Sequence, residues 1–326
     1  MLETQSLRKP HDVADKVFSA GSERARHELA SGLRQHAARI PPKYFYNELG
    51  SKLFEAICLV DEYYVTRAET NIYLNHATEI ADIAGQGGTL IDLGAGNCAK
   101  AALLFKALQP NQYVPVDIST AFLNSTVERL QAVYPQIAML PVGLDFTESL
   151  NLPAKIRQDQ RLLFYPGSSI GNFSPLQAMQ FLTRIHRECG KNGALLIGVD
   201  LVKPADILEA AYNDSLGITA AFNLNLLVHV NNLLDSNFLV SDWRHIAFFN
   251  VDQNCIEMHL EARRPVTVQW PGGERFFAQG ERIHTENSYK YTKDGFSELL
   301  KSCNFGDPIC WTDPAQQFLV CYARAN

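Results

Sequence analysis

Thr89-Leu90-Ile91-Asp92-Leu93-Gly94-Ala95-Gly96-Asn97-Cys98-Ala99-Lys100 is a short apolar run that ends in a glycine-rich turn. The residues after it, AKAALLFKAL from Ala99 to Leu108, read as a helix. Glycines at such a turn let a ligand approach the backbone, and the helix that follows presents free N–H groups. Taken alone the turn is a weak signal. GAGNCA also satisfies the loose GxGxxA pattern, so a nicotinamide- or flavin-dependent oxidoreductase stays open at this point.

Outward from this turn the pattern repeats. Further apolar runs follow at YVPVD (113–117), AMLPVGLD (138–145), RLLFYPG (161–167) and ALLIGVD (194–200), with helix-like segments between most of them. They are continuously apolar rather than alternating, as expected for strands of a parallel sheet covered on both faces. After Leu201 the alternation is lost. Residues 205–232 look helical, and 241–286 read as several strands with a Pro-Gly-Gly turn at 271–273. The chain then returns to a helix (KDGFSELLKSC) and to the pair PICWTD and QQFLVCYA, joined by a turn at Asp313-Pro314.

The first forty residues read as helical up to Pro41-Pro42, and Tyr44 to Ala77 as an aromatic-rich segment broken at Gly50 and Asp61. The expected fold is α/β: a parallel sheet closed by a C-terminal antiparallel hairpin, the layout of class I (Rossmann-like) methyltransferases, interrupted by an insertion from about 202 to 291. Residues 68–201 with 292–326 are expected to form the sheet domain.

Composition narrows the class. Hydrophobic residues make up 46% and charged residues 20%, the balance of a globular protein with a core. No apolar run approaches the roughly 18 residues of a membrane span, and the N-terminus lacks a signal-peptide core. The net charge of −6 carries no basic footprint for nucleic acid. Seven cysteines without a CxxC pair read as free thiols in a reducing compartment, so the expected location is cytoplasmic. No internal repeat or heptad appears, which makes a monomer the default. The histidines show no ligand spacing, and no metal is expected.

Two features move the reading from dinucleotide to methyl donor. Asp92 lies two residues before the first glycine, as in a methyltransferase E/D-x-G-x-G motif. Asp117 ends the second run, where it can accept hydrogen bonds from ribose hydroxyls, and Asp145 follows the third, where methyltransferases hold the adenine amino group. Three acids at successive strand ends face the sheet edge at which open α/β sheets bind ligands.

The blocks PPKYFYNELGSKLFEAI, EYYVTRAE, IDLGAGNCAK, GSSIGNFSP and HTENSYKYT, in this order and spacing, resemble the histidine-specific methyltransferase family, the histidine Nα-methyltransferases of ergothioneine biosynthesis. The resemblance runs from about residue 25 to the C-terminus. It implies S-adenosyl-L-methionine as methyl donor, L-histidine as the small-molecule substrate, three transfers to the α-amino group, and hercynine as product, with 1–67 and 202–291 forming a second, α+β substrate domain that clamps histidine over the donor. By motif it places Tyr46, Gly94, Gly96, Lys100, Asp117, Asp145 and Phe146 at the donor. Tyr63, Gly167, Asn172, Tyr212, Met258, Glu286 and Ser288 fall at histidine, with Asn172 and Tyr63 nearest the chemistry. One departure is Asn287, where the family pattern leads one to expect an apolar residue.

The residues fit this chemistry on physical grounds. Methyl transfer from a sulfonium to nitrogen is an in-line displacement that needs a neutral, aimed amine and exclusion of water. Alignment alone supplies on the order of 7–11 kcal/mol at its upper limit. Glu286 and Ser288, two apart on a strand, point to one side and can each meet a ring nitrogen, while Asn287 points away. Met258 can form an adaptable apolar wall. An indole has no use for a carboxylate plus a hydroxyl, which disfavours tryptophan as the alternative amino acid; tyrosine is another. A nucleoside-binding regulator without catalysis is a third class, disfavoured by Asn172 and Glu286.

Overall fold

The computed structural model describes residues 23–326. A first helix, α1, covers 23–33 of these, and the part of the expected N-terminal helix before residue 23 lies outside the described residues. The helix stops well short of Pro41. Arg275 donates to the carbonyl oxygens of Leu33, Gln35 and His36, ending the helix, and Arg39 then pairs with His284 in a parallel bridge.

Next come α2 (Glu48–Ile57) and α3 (Tyr64–Ala84). Gly50 does not break α2 as expected: it lies in the first turn, and its N–H donates to the Asn47 side chain at 2.7 Å, which caps the helix. The break near Asp61 is present. Arg67 gathers the carbonyls of Val60, Asp61 and Tyr63 there.

The sheet elements follow: β1 (Thr89–Leu93), α4 (Ala99–Leu108), β2 (Gln112–Asp117), α5 (Thr120–Val133), β3 (Ala138–Met139), β4 (Val142–Gly143), β5 (Arg161–Tyr165), α6 (Pro175–Cys189) and β6 (Ala194–Asp200). Strands β1, β5 and β6 are buried at every position, as their unbroken apolar sequences require. The third run is two short strands rather than one. Pro141 has no N–H to give the ladder, so β3 pairs with Gln112 and Tyr113 and β4 with Val116 and Asp117. Helix α6 starts on Ser174 with Gln177 reciprocating and Pro175 at its first position.

Residues 205–232 are two helices, α7 (Ala205–Tyr212) and α8 (Ile218–Leu234), not one. Asp214 between them accepts from the N–H groups of Ile218 and Thr219, starting α8 afresh. Then follow β7 (Trp243–Asn250), β8 (Cys255–Ala262), β9 (Val266–Trp270), β10 (Gly273–Phe277) and β11 (Arg282–Tyr289), then α9 (Lys293–Ser302), β12 (Ile309–Thr312) and β13 (Phe318–Arg324).

The large sheet has the order β12-β13-β6-β5-β1-β2-β3, with β4 also on β2. All its pairs are parallel except those of β13 with β6 and β12. This is the class I methyltransferase order with its terminal antiparallel hairpin. β11-β8-β7 form a three-stranded sheet and β9-β10 a hairpin.

Two compact units emerge from the contacts. One holds 46–219, 247–258 and 287–326, with the large sheet; the other holds 220–246, 259–286 and the described residues up to 45. These limits differ from 67/68, 201/202 and 291/292: residues 46–67 and 202–219 group with the large sheet. In the smaller unit Phe45 stacks on Phe222 with centroids 4.5 Å apart, and Arg264 forms a two-pronged pair with Asp242. Among the described residues no helix is long and apolar enough to cross a membrane.

The C-terminal hairpin turns on Asp313, a buried carboxylate that accepts from the N–H groups of Ala315, Gln317 and Phe318 at 2.7–2.9 Å. Asp313→Ala should destabilise the protein by about 2–3 kcal/mol, the scale for hydrogen bonds to a charged group. Urea unfolding tests this; a change within about 0.5 kcal/mol would mean the turn closes without its carboxylate.

Candidate active site

The glycine turn after β1 is tied to the end of β2. Gly94 and Ala95 donate to the carbonyl of Val116, and Gly96 N donates to Asp117 Oδ2 at 3.0 Å. Asp117 Oδ1 accepts from Ser119 N at 2.9 Å, and Ser119 Oγ donates to the carbonyl of Tyr46 at 3.1 Å. So Tyr46, Gly96 and Asp117 converge. A carboxylate has about four acceptor positions, so Asp117 retains capacity for hydroxyls after both contacts.

Gly94 and Gly96 both have positive φ, at 73° and 51°. A Cβ on Gly94 would lie 3.6 Å from the ring of Phe146, whereas one on Gly96 would meet nothing within 4 Å. The turn therefore has packed backing on one side and open space on the other. Phe146 itself packs on Tyr165 and Phe181. Asp145 accepts from Thr147 N at 3.0 Å and from its hydroxyl, which also makes it the cap of its own turn.

Asp92 is buried, with Oδ2 accepting from Tyr113 at 2.7 Å and Oδ1 without a partner among the described residues. Burial pushes its pKa up to about 7; the Tyr113 hydrogen bond works against this, and nearby Asp117 adds to it.

Lys100, on α4, pairs with the fully buried carboxylate of Glu69 on α3. Glu69 also accepts from Tyr73 at 2.9 Å and from Gly167 N at 2.9 and 3.0 Å. Gly167 follows β5 with φ of 81°, and a Cβ there would lie 3.2 Å from Lys100 Nζ. Gly198 on β6 leaves the room that Glu69 occupies.

Beyond Gly167, a short 3-10 turn at Ser169–Asn172 brings Gly171 against β11: a Cβ there would lie 3.4 Å from Ser288 Oγ. Asn172 is half-buried, and its amide makes no hydrogen bond among the described residues. Ser288 accepts from Tyr212 at 2.7 Å and from Lys290 at 2.8 Å. Tyr63 packs edge-on against Tyr212, centroids 6.2 Å apart. Ser288, Tyr212 and Tyr63 are thus linked by direct contacts, and Gly171, next to Asn172 in the chain, lies against Ser288, whereas Gly167 is tied to Glu69. Met258 on β8 and Glu286 on β11 are both buried.

A family model described as "Histidine-specific methyltransferase, SAM-dependent" matches residues 25–325. The chain belongs to this family. It is 35% identical over 305 residues to a histidine N-alpha-methyltransferase of Mycolicibacterium smegmatis, covering 92% of this chain and 94% of that one. It is 33% identical over 282 residues to ergothioneine biosynthesis protein 1 of Neurospora crassa, covering 84% of this chain and 32% of that one. A 4-dimethylallyltryptophan N-methyltransferase of Trichophyton verrucosum is 24% identical over 322 residues, covering 93% and 94%.

As in the family, S-adenosylmethionine is the methyl donor, and the residues present fit it. The glycine turn is open where a Cβ would intrude, Asp117 has acceptor capacity, and the orphaned Asp92 Oδ1 awaits a donor group. Sequence reasoning missed the buried residues behind this histidine-specific methyltransferase site: Glu69, Asp200, Lys290, Tyr64 and Lys203. Asp200 ends ALLIGVD as Asp117 ends YVPVD, and Lys290 continues the two-residue spacing of Glu286 and Ser288, so a signal existed for both.

A buried carboxylate whose folded pKa is raised costs stability as pH climbs from the unfolded value near 3.8 through about 7. Asp92→Asn should therefore raise the melting temperature at pH 8, more than at pH 5, while weakening the donor. Calorimetry of unfolding and of S-adenosylmethionine binding measures both; a variant less stable at pH 8 would contradict the burial argument.

Proposed function

We propose that this chain transfers methyl groups from S-adenosylmethionine to the α-amino nitrogen of L-histidine, three times in succession, giving hercynine on the route to ergothioneine. The observation that carries the substrate choice is the pair Glu286 and Ser288: both are buried, two residues apart on one strand, with Asn287 between them only half-buried. A carboxylate and a hydroxyl at that spacing suit the two nitrogens of an imidazole and leave an indole with unpaired partners. Met258 lines the ring.

In this reading Asp117 takes the ribose hydroxyls, Asp145 the adenine amino group, Phe146 packs beside the turn, and Tyr46 lies near the donor. Gly94 and Gly96 admit its backbone approach, and Lys100 takes its carboxylate. The donor supplies an electrophilic methyl carbon. The Asn172 amide and the Gly167 carbonyl hold the amino and carboxylate end of histidine, with the Tyr63 and Tyr212 hydroxyls completing the polar contacts. Each transfer forms a C–N bond from the neutral amine as the C–S bond breaks. The sulfonium pair returns to sulfur, and the first two products release a proton. Alignment is the protein's main contribution, worth on the order of several kcal/mol. The seven free cysteines suit a cytoplasmic setting, and we take the working form to be a monomer with small-molecule partners alone.

The direct experiment is incubation with S-adenosylmethionine and each common amino acid, with mass spectrometry of the products. Histidine alone should gain three methyl groups; preferential methylation of tryptophan or tyrosine would sink the assignment. Asn172→Ala should lower kcat far more than it weakens donor binding, and should shift products toward mono- and dimethyl forms. Wild-type turnover in that variant would remove Asn172 from the site. Glu286→Ala should lower kcat/KM for histidine by at least about 2 kcal/mol. Adding Met258→Val should raise the tryptophan-to-histidine ratio of kcat/KM; an unmoved ratio means these residues do not read the ring.

A further inference from the structure

The proton inventory around Ser288 is fixed by a lysine. Lys290 Nζ lies 2.8 Å from Asp200 Oδ2, 3.0 Å from the Tyr212 hydroxyl and 2.8 Å from Ser288 Oγ. An ammonium has three protons and no lone pair, so these contacts use all it has, and both hydroxyl oxygens must accept. Tyr212 then passes its own proton to Ser288 at 2.7 Å. Lysine and tyrosine fill both lone pairs of Ser288 Oγ. What Ser288 has left to offer a ligand is its O–H proton.

The charge on Lys290 is held in place from behind. Its side chain and that of Asp200 are fully buried, and Asp200 also accepts from Tyr64 at 2.8 and 2.7 Å and from Lys203 at 2.6 Å. Burial works against the Lys290 ammonium, but Asp200 and Tyr212 outweigh it and its pKa is raised. The groups facing Ser288 are Tyr212 from α7, Lys290 just past the end of β11, and the uncharged Gly171 of the turn before α6; Glu286 precedes it by two residues. Asp200, Lys203 and Tyr64 stand behind the lysine.

Resting on the histidine reading above, we infer that Lys290 is a positioning residue that fixes Ser288 as a hydrogen-bond donor, so the substrate ring is bound neutral, with its bare nitrogen at Ser288 and its N–H at Glu286. A carboxylate alone would favour an imidazolium. The saturated Ser288 oxygen opposes it, because the second N–H of an imidazolium would meet a donor and go unpaired.

The test uses wild-type protein with S-adenosylhomocysteine and ring-15N histidine, observed by NMR at about pH 6, near the ring's ordinary pKa. One N–H nitrogen and one bare nitrogen are expected in the complex, persisting about one pH unit below the point at which free histidine is half protonated. Two protonated nitrogens would overturn this inference and leave the substrate reading standing. No bound signal would overturn both. In the Lys290→Met variant Ser288 regains a lone pair and can turn to accept an N–H. Wild-type affinity for histidine should fall about tenfold per pH unit below the ring pKa, and the variant's should fall markedly less. A folded variant with the wild-type profile would show that Lys290 is only structural; if the variant does not fold, the wild-type spectrum still decides.

Discussion

Asp200 is a carboxylate with no solvent exposure, and burying one is costly unless partners replace its water. Two lysines and a tyrosine do so here, and they come from three parts of the chain: Tyr64 at the start of α3, Lys203 just past β6, and Lys290 just past β11. The position explains the arrangement. The chain leaves the large sheet at Leu201 and returns at Tyr291, and these two residues pair in a parallel bridge. Tyr291 N donates to the Asp200 carbonyl, and Val202 N to the Tyr291 carbonyl. The exit and re-entry of the long excursion are stitched together at this buried anion, so its register and the placement of Ser288 depend on the same charge.

Glu69 plays the matching part on the donor side. It is also fully buried, and it joins Lys100 of α4 to the Gly167 amide after β5. Each anion holds a cation or amide among the residues of the proposed site or beside them: Glu69 holds Lys100 and the Gly167 amide, and Asp200 holds Lys290, which donates to Ser288. Fixed charge behind a hydrogen-bonding group restricts where that group points at little entropic expense during reaction, which is what an alignment-limited transfer requires. Breaking either pair would leave an uncompensated buried charge, a far larger loss than the net value of the pair itself.

Much of this was legible in the sequence because it is written in periods. Runs such as TLIDL and ALLIGVD read as fully buried strands and are; GAGN marks the turn; the Asp313-Pro314 pair marks the hairpin. What failed depended on contacts distant in sequence. The first helix ends at residue 33 because Arg275, some 240 positions away, takes its carbonyls. Gly50 reads as a break in the sequence, but the Asn47 side chain caps the helix there and makes the glycine tolerable. Pro141 carries a local signal, a missing N–H in the middle of an apolar run, and it splits that run into two strands. Glu69 was hidden for a different reason: a carboxylate on a helix reads as solvent-facing unless its partners, Lys100 and Gly167, are known.

Within the proposed histidine site, the same logic explains why the ring reader is a serine rather than a second carboxylate or an amide. Two carboxylates would hold an imidazolium, whose release after methylation would have to break two charged contacts. An asparagine amide carries both a donor and an acceptor and can flip, so it accepts either ring state. A serine alone is equally ambiguous, because its hydroxyl rotates. Backed by Lys290 and Tyr212, it is not: two of its three hydrogen-bonding roles are taken, and the third is a donor. Selectivity in such a site comes from the groups that saturate the hydroxyl, Tyr212 on α7 and Lys290 just past β11, and the first of these lies 76 positions away, where a linear reading of the strand Arg282–Tyr289 does not reach.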